Sequence, residues 1–135
     1  MQVLLDTDVV LDFLPARQPF GADARAIWQA HEQERCRAYI SAITPVNVFY
    51  IARKLVGASH AQCLLSLLLL ALPVCTVDAA VLGIAQQLGM DDFEDAVQLA
   101  AAQVGGLDAL VTRNTSDYRS LALPIFTPQD FLRRL

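Results

Sequence analysis

Residues 89–114 read GMDDFEDAVQLAAAQVGGLDALVTRN. Phe93–Val104 predicts a helix, opened by Asp91, Asp92, Glu94 and Asp95 and closed by Gly105-Gly106. A short apolar strand follows at residues 109–112. Helix then buried strand is the pattern on both sides of this stretch. Upstream, residues 3–5 predict a strand, and residues 9–14 a helical turn or two ended by Pro15. Residues 23–34 predict a helix, with Ala24, Ile27, Trp28 and His31 at helical spacing, and 38–41 a second strand. Thr44 is placed to cap a helix with Pro45 at its first position, running to about 56 before Gly57. Ser59 is placed to cap the next helix, about 60–70. Residues 73–77 predict a strand, and Asp78 caps a helix to about 88, stopped by Gly89. Downstream, 125–126 is a last short strand, and Thr127-Pro128 open a terminal helix to Leu135.

Strands separated by helices pair in parallel, and the sheet is then covered on both faces. The expected fold is an α/β three-layer sandwich with a short, mainly parallel sheet of four to five strands. The 135 residues fit one domain, 1–135. With 55% hydrophobic and 18% charged residues the chain can bury a core, which excludes general disorder. A net charge of −4 excludes a basic coat that wraps duplex nucleic acid, though bound metal ions can supply positive charge locally. Cys36, Cys63 and Cys75 are odd in number and form no CxxC pair, so they read as free thiols. The opening MQVLLDTD has no basic segment and does not read as a signal peptide. The apolar run at 64–74 is too short to span a membrane and meets Pro73. A cytoplasmic protein without a membrane partner is expected. The stretch 63–72 is apolar all round apart from Ser66. Such a helix is either central or shares one face with a second copy or partner, which supports a homodimer.

Ligands in parallel α/β sheets bind at the carboxyl ends of the strands. After the first strand come Asp6, Thr7 and Asp8; after the second, Ser41, then Thr44 and Asn47. Asp91, Asp92, Glu94 and Asp95 gather at one helix start, and Arg113, Asn114 and Asp117 follow the strand at 109–112. Each acid alone has an ordinary reading. Asp8 can cap a helix, Asp91 and Asp92 can cap another, and Asp117 can make a turn. Gathered at one edge they repel one another unless a cation joins them. Oxygen-only ligand sets suit Mg²⁺ or Mn²⁺, and ions held this way drive phosphodiester displacement.

At these residues the chain resembles the PIN-domain family. VLLDTDVVLDFL (3–14) is similar to its first motif, SAITPVNVFYIARK (41–54) to its second, DDFEDAVQLAAA (91–102) to its third and ALVTRNTSDY (109–118) to its fourth. The final TPQDFL also resembles one PIN subgroup. The resemblance implies a compact α/β fold and a Mg²⁺- or Mn²⁺-dependent ribonuclease. Many bacterial members are VapC-type toxins, neutralised by a small antitoxin, and many are homodimers. The first family acid falls on Asp6 and the third on Asp95. The second, usually Glu, falls on Asn47. The fourth, usually an Asp two residues after the Thr, falls on Asn114, with Asp117 three residues on. An amide brings no charge, so Asn47 and Asn114 weaken the metal site the family would otherwise share.

Asp6, Asp95 and Asp117 are therefore the expected metal ligands and catalytic acids, with Asp8, Asn47, Asp92, Thr112 and Asn114 supporting them. Ser41, Arg53, Lys54 and Arg113 are the expected RNA contacts, since Arg suits phosphate. Glu94 points about 100° away from Asp95 on an ideal helix and is a weaker candidate. Asp12 is placed to pair with Arg17. His31 and His60 lie far from the acidic motifs, and Trp28, Phe49, Tyr50 and Phe93 read as packing residues. Two rivals stand. Asp6-Thr7-Asp8-Val9 also resembles the nucleophile motif of haloacid-dehalogenase phosphatases, but these need a late lysine and Lys54 is the only one. A degenerate fold that binds RNA or an antitoxin without cleaving is the other.

Overall fold

The computed structural model of the protein describes residues 1–14, 20–118 and 123–135. Five parallel strands form one sheet: β1 (Gln2–Leu5), β2 (Arg37–Ser41), β3 (Val74–Cys75), β4 (Ala109–Val111) and β5 (Ile125–Phe126), in the order β3-β2-β1-β4-β5. β1 lies at the centre, with Val3 opposite Ala38 on one side and Ala109 on the other. A strand paired on both edges and covered on both faces has no polar face, and hence Val3-Leu4-Leu5 is an unbroken apolar run.

The pleat sends these side chains to opposite layers. Val3 and Leu5 join one apolar cluster with Val9 of α1 (Thr7–Leu11), Ile27 of α2 (Gly21–Glu32), Val48 of α3 (Thr44–Val56), Leu68 of α4 (Ala58–Ala71) and Phe131 of α7 (Pro128–Arg133). Leu4 joins the other, with Val81 of α5 (Ala79–Gln87) and Val97 and Leu99 of α6 (Phe93–Val104). The expected three-layer sandwich is the fold, and its sheet is wholly parallel.

Several boundaries differ from expectation for local reasons. α1 starts at Thr7, not residue 9, because Asp6 rather than Asp8 caps it, accepting from the Thr7 N–H at 2.7 Å. Neither Thr44 nor Ser59 caps a helix. Thr44 lies inside α3 with its hydroxyl turned into a buried polar cluster. α4 begins at Ala58 because Gly57, at φ +87°, makes the whole turn from α3 by itself. β3 is two residues long, since only Val74 and Cys75 find partners on β2. α4 is not central: only Ala61 and Leu68 are buried along it, and Leu70 is 88% exposed. Pro15 and the Asp12–Arg17 pairing involve positions outside the described residues. No helix among the described residues is long and apolar enough to cross a membrane.

Candidate active site

The carboxyl ends of β1 and β4 are neighbours in the sheet, with Leu5 opposite Val111. The next residues, Asp6 and Thr112, therefore meet: the Thr112 hydroxyl donates to Asp6 Oδ2 at 2.7 Å while Asp6 Oδ1 caps α1. Asp6 is buried, and each of its two oxygens accepts from one of these donors. Burial raises its pKa, an effect the Thr112 hydrogen bond opposes and the charge of Asp8 reinforces.

A polar cluster lies beneath. Gln98 of α6 is 0% exposed, and its amide donates to Thr7 Oγ1 and Thr44 Oγ1, each at 3.0 Å. Ser41 Oγ lies 3.4 Å from Thr44 Oγ1. Four segments are thus tied together under Asp6: the start of α1, the end of β2, the start of α3 and the middle of α6. Gln98 stands one turn along α6 from Asp95 and so fixes where that carboxylate lies.

Asp92 caps α6, its Oδ1 accepting from the Asp95 N–H at 3.1 Å. The Asp95 carboxyl is pushed up to about 7, first by burial, then by the charges of Asp6 and Asp92, with Asp117 adding a smaller share. One group opposes this: the Tyr118 hydroxyl donates to Asp95 Oδ1 at 3.2 Å. The phenol is itself driven far above its usual range by burial and by Asp6 and Asp95, so it stays a donor. Beside the pair, Leu88, Met90, Asp91, Asp92, Ser116 and Asp117 line a cavity of about 250 Å³.

On the other side, Asn114 Nδ2 reaches toward Asp8 Oδ2 at 3.5 Å. Arg113 is bound to Asp12 at 2.9 Å, lies 4.0 Å from Asp8 and stacks on the Phe20 ring at 4.1 Å. Its Nε thus faces the buried Asp12 carboxylate. Ser41 is fully buried and lies under the cleft instead of lining it. Arg53 and Lys54 sit in the last turn of α3, on the order of 14 Å along the helix from Thr44. The fold does not bring them to Asp6. Asn47 lies one turn past Thr44, half-buried, and among the described residues no hydrogen bond joins its side chain to an acid.

A family model described as PIN domain matches residues 2–116. The chain belongs to the PIN domain family. In fold it is similar to a toxin–antitoxin complex from Klebsiella pneumoniae, at 26% identity, covering 93% of this chain and 97% of that one, with a TM-score of 0.68. It is also similar to the DNA-bound VapBC of Salmonella typhimurium (19% identity, 95% and 98% covered, TM-score 0.74). A third is VapC20 of Mycobacterium tuberculosis, a sarcin-ricin loop cleaving toxin (16% identity, 80% and 86% covered, TM-score 0.67). No curated protein matches the chain in sequence.

PIN-domain nucleases generally use divalent metals. The acids of this PIN domain suit such an ion in kind. Asp6, Asp95, Asp92 and Asp117 are hard oxygen donors whose mutual repulsion lifts Asp95, and a cation would relieve it. Among the described residues no three acids, histidines or cysteines stand close enough to form a finished cage. Asp6 and Asp95 lie close enough for the charge of one to act on the other, and the Tyr118 hydroxyl is bonded to Asp95. Sequence reasoning missed Tyr118 and Gln98. For Gln98 a signal existed: it is the single polar residue in the fully buried run 96–102, three places after Asp95.

Proposed function

We propose that this PIN domain is a metal-dependent endoribonuclease, the toxin of a toxin–antitoxin pair, acting in the cytoplasm on RNA phosphodiesters with Mg²⁺ or Mn²⁺. The observation that carries this reading is the approach of Asp6 and Asp95, 89 positions apart in the chain, close enough at the carboxyl edge of the sheet for the charge of Asp6 to act on Asp95. That the toxin–antitoxin complexes named above share the fold supports it.

Asp6, Asp95 and Asp117 would hold the ion, with Asp8, Asn47, Asp92, Thr112 and Asn114 around them. When bound, the ion supplies a Lewis acid to the phosphodiester and makes the attacking water easier to deprotonate. The chain does the rest. Thr112 and the Thr7 N–H hold Asp6 in one orientation. Asp95, the less buried of the two, accepts the proton from the attacking water. Arg113, bound to Asp12, sets the place of Asp8 and Asn114 at the rim.

Total and transfer RNA should be cut with Mn²⁺ and spared with EDTA, and Asp95→Asn should cut at least about 100-fold more slowly. Equal cutting by the variant would mean that the acids do not carry the chemistry. A second reading draws on Asn47 and Asn114 at two family acid positions and on the unfinished cage: a degenerate fold that binds RNA or an antitoxin. Saturable Mn²⁺ binding, lost in Asp6→Ala, decides against it. The family match decides against the phosphatase.

The exposed leucines of α4 support a protein partner. Leu67, Leu69 and Leu70 face outward at 49%, 53% and 88% exposure. We assign this face to a homodimer, with the antitoxin as the further partner. Sedimentation should give twice the 14.8 kDa chain mass for the wild type, and one chain mass for the double variant Leu69→Glu, Leu70→Glu. A monomeric wild type would sink the dimer.

A further inference from the structure

Tyr118 has no place in the roles above, yet its hydroxyl bonds Asp95, an acid at the centre of the site. Its ring is buried in the α6-side cluster with Leu4, Val97 and Leu123. Its hydroxyl emerges at Asp95, to which it donates at 3.2 Å, with the charge of Asp6 close enough to act on the phenol. Its backbone closes the short 3-10 turn Thr115–Asp117, the Tyr118 N–H donating to the Thr115 carbonyl at 3.2 Å. That turn buries none of its own residues, so it has no packing of its own to fix it. Asp117 is its last residue and the direct neighbour of Tyr118.

The plain alternative is that Tyr118 only fills the core. A phenylalanine would fill the same space without bringing a hydroxyl into it. A buried phenol is tolerated where its O–H finds a partner, and here the partner is Asp95, a carboxylate the chemistry needs. We propose that Tyr118 is a positioning residue of the nuclease site: its hydroxyl, anchored from the core, holds Asp95 in place, and its backbone holds the turn that carries Asp117. The proposal rests on the nuclease reading for its consequence. Tyr118 never meets the scissile bond. It acts through the carboxylates, as partners of metal ligands do when they fix a ligand's orientation.

The test is Tyr118→Phe, which removes one oxygen and keeps the ring. Free Mn²⁺, followed by electron paramagnetic resonance, should show affinity falling about tenfold. With the ion saturating, kcat should fall while the KM for RNA holds. In the metal-free protein, amide hydrogen exchange should speed up across 115–118 and at the start of α6, and stay unchanged in β1 and β4. Unchanged or tighter Mn²⁺ binding would overturn the proposal, the latter by making the hydroxyl a competitor for the ligands. The exchange readout separates this inference from the one beneath it. If the wild type binds no Mn²⁺, faster exchange in 115–118 still upholds the positioning role while the metal-dependent reading falls. Unchanged exchange then overturns the role of Tyr118 as well.

Discussion

Asp95→Asn is expected to make the metal-free protein more stable at pH 8, by about 1–2 kcal/mol or roughly 3–8 °C in Tm, while it removes metal-dependent cleavage. A substitution that stabilises and inactivates together is the mark of a charge held in place for function. The sign follows from linkage. The folded-state pKa of Asp95 is raised from the usual 3.8 to about 7, first by burial and then by Asp6 and Asp92. The folded chain therefore holds this proton more tightly than the unfolded one. The associated stability is fully present below about pH 4, is lost as pH rises, and is gone above about pH 7. The full displacement would correspond to about 4 kcal/mol. The carboxyl is only partly buried, and solvent screening cuts the figure to the smaller range given. Asparagine keeps an oxygen for the Tyr118 hydroxyl and carries no charge to repel Asp6. Thermal scans at pH 4 and pH 8 test this. The gain should appear at pH 8 and vanish at pH 4, and Mn²⁺ should raise the wild-type midpoint more than that of the variant. A lower midpoint for the variant at pH 8 would show that the carboxylates are not in conflict.

How much of this site was legible depends on the range of the forces involved. Asp6 was legible because a parallel sheet puts its strand ends at one edge, so position after a strand is enough; Asp95 was legible from the acids gathered at its helix start and from the family motif there. Asp78, Asp92 and Thr127 were legible as caps because the bond runs from a side chain to a backbone N–H three residues on. Thr44 has the same cap chemistry and does not cap. Gln98, 54 positions away, offers its hydroxyl a buried partner instead. For Arg113 the fold adds a partner that spacing did not show, Asp12 beside its Nε. Long-range competition of this kind leaves little trace in local spacing. Tyr118 is the extreme case, since its meaning comes from Asp95, which the topology places at its hydroxyl.

Phe131→Ala should be the most damaging single change to stability, although it lies outside the stretch that the family model matches. Its ring is 0% exposed and is the largest fully buried side chain among the described residues. α7 has six residues, too few to persist unless packed. Phe131 docks it in the same cluster as Ile27 of α2 and Val3 of β1. Truncating a buried phenylalanine costs about 3–5 kcal/mol, a large part of the roughly 5–15 kcal/mol that holds a domain folded. The midpoint should drop by about 10–20 °C. The damage should also reach the site. α7 follows directly on β5, and the Phe126 carbonyl of β5 accepts from the Thr112 N–H at 2.9 Å. Thr112 in turn holds Asp6. Cleavage should therefore be lost well below the temperature at which the sheet unfolds. This is the outcome required if residues 1–135 act as one unit; a variant with an unshifted midpoint would make the last helix an appendage.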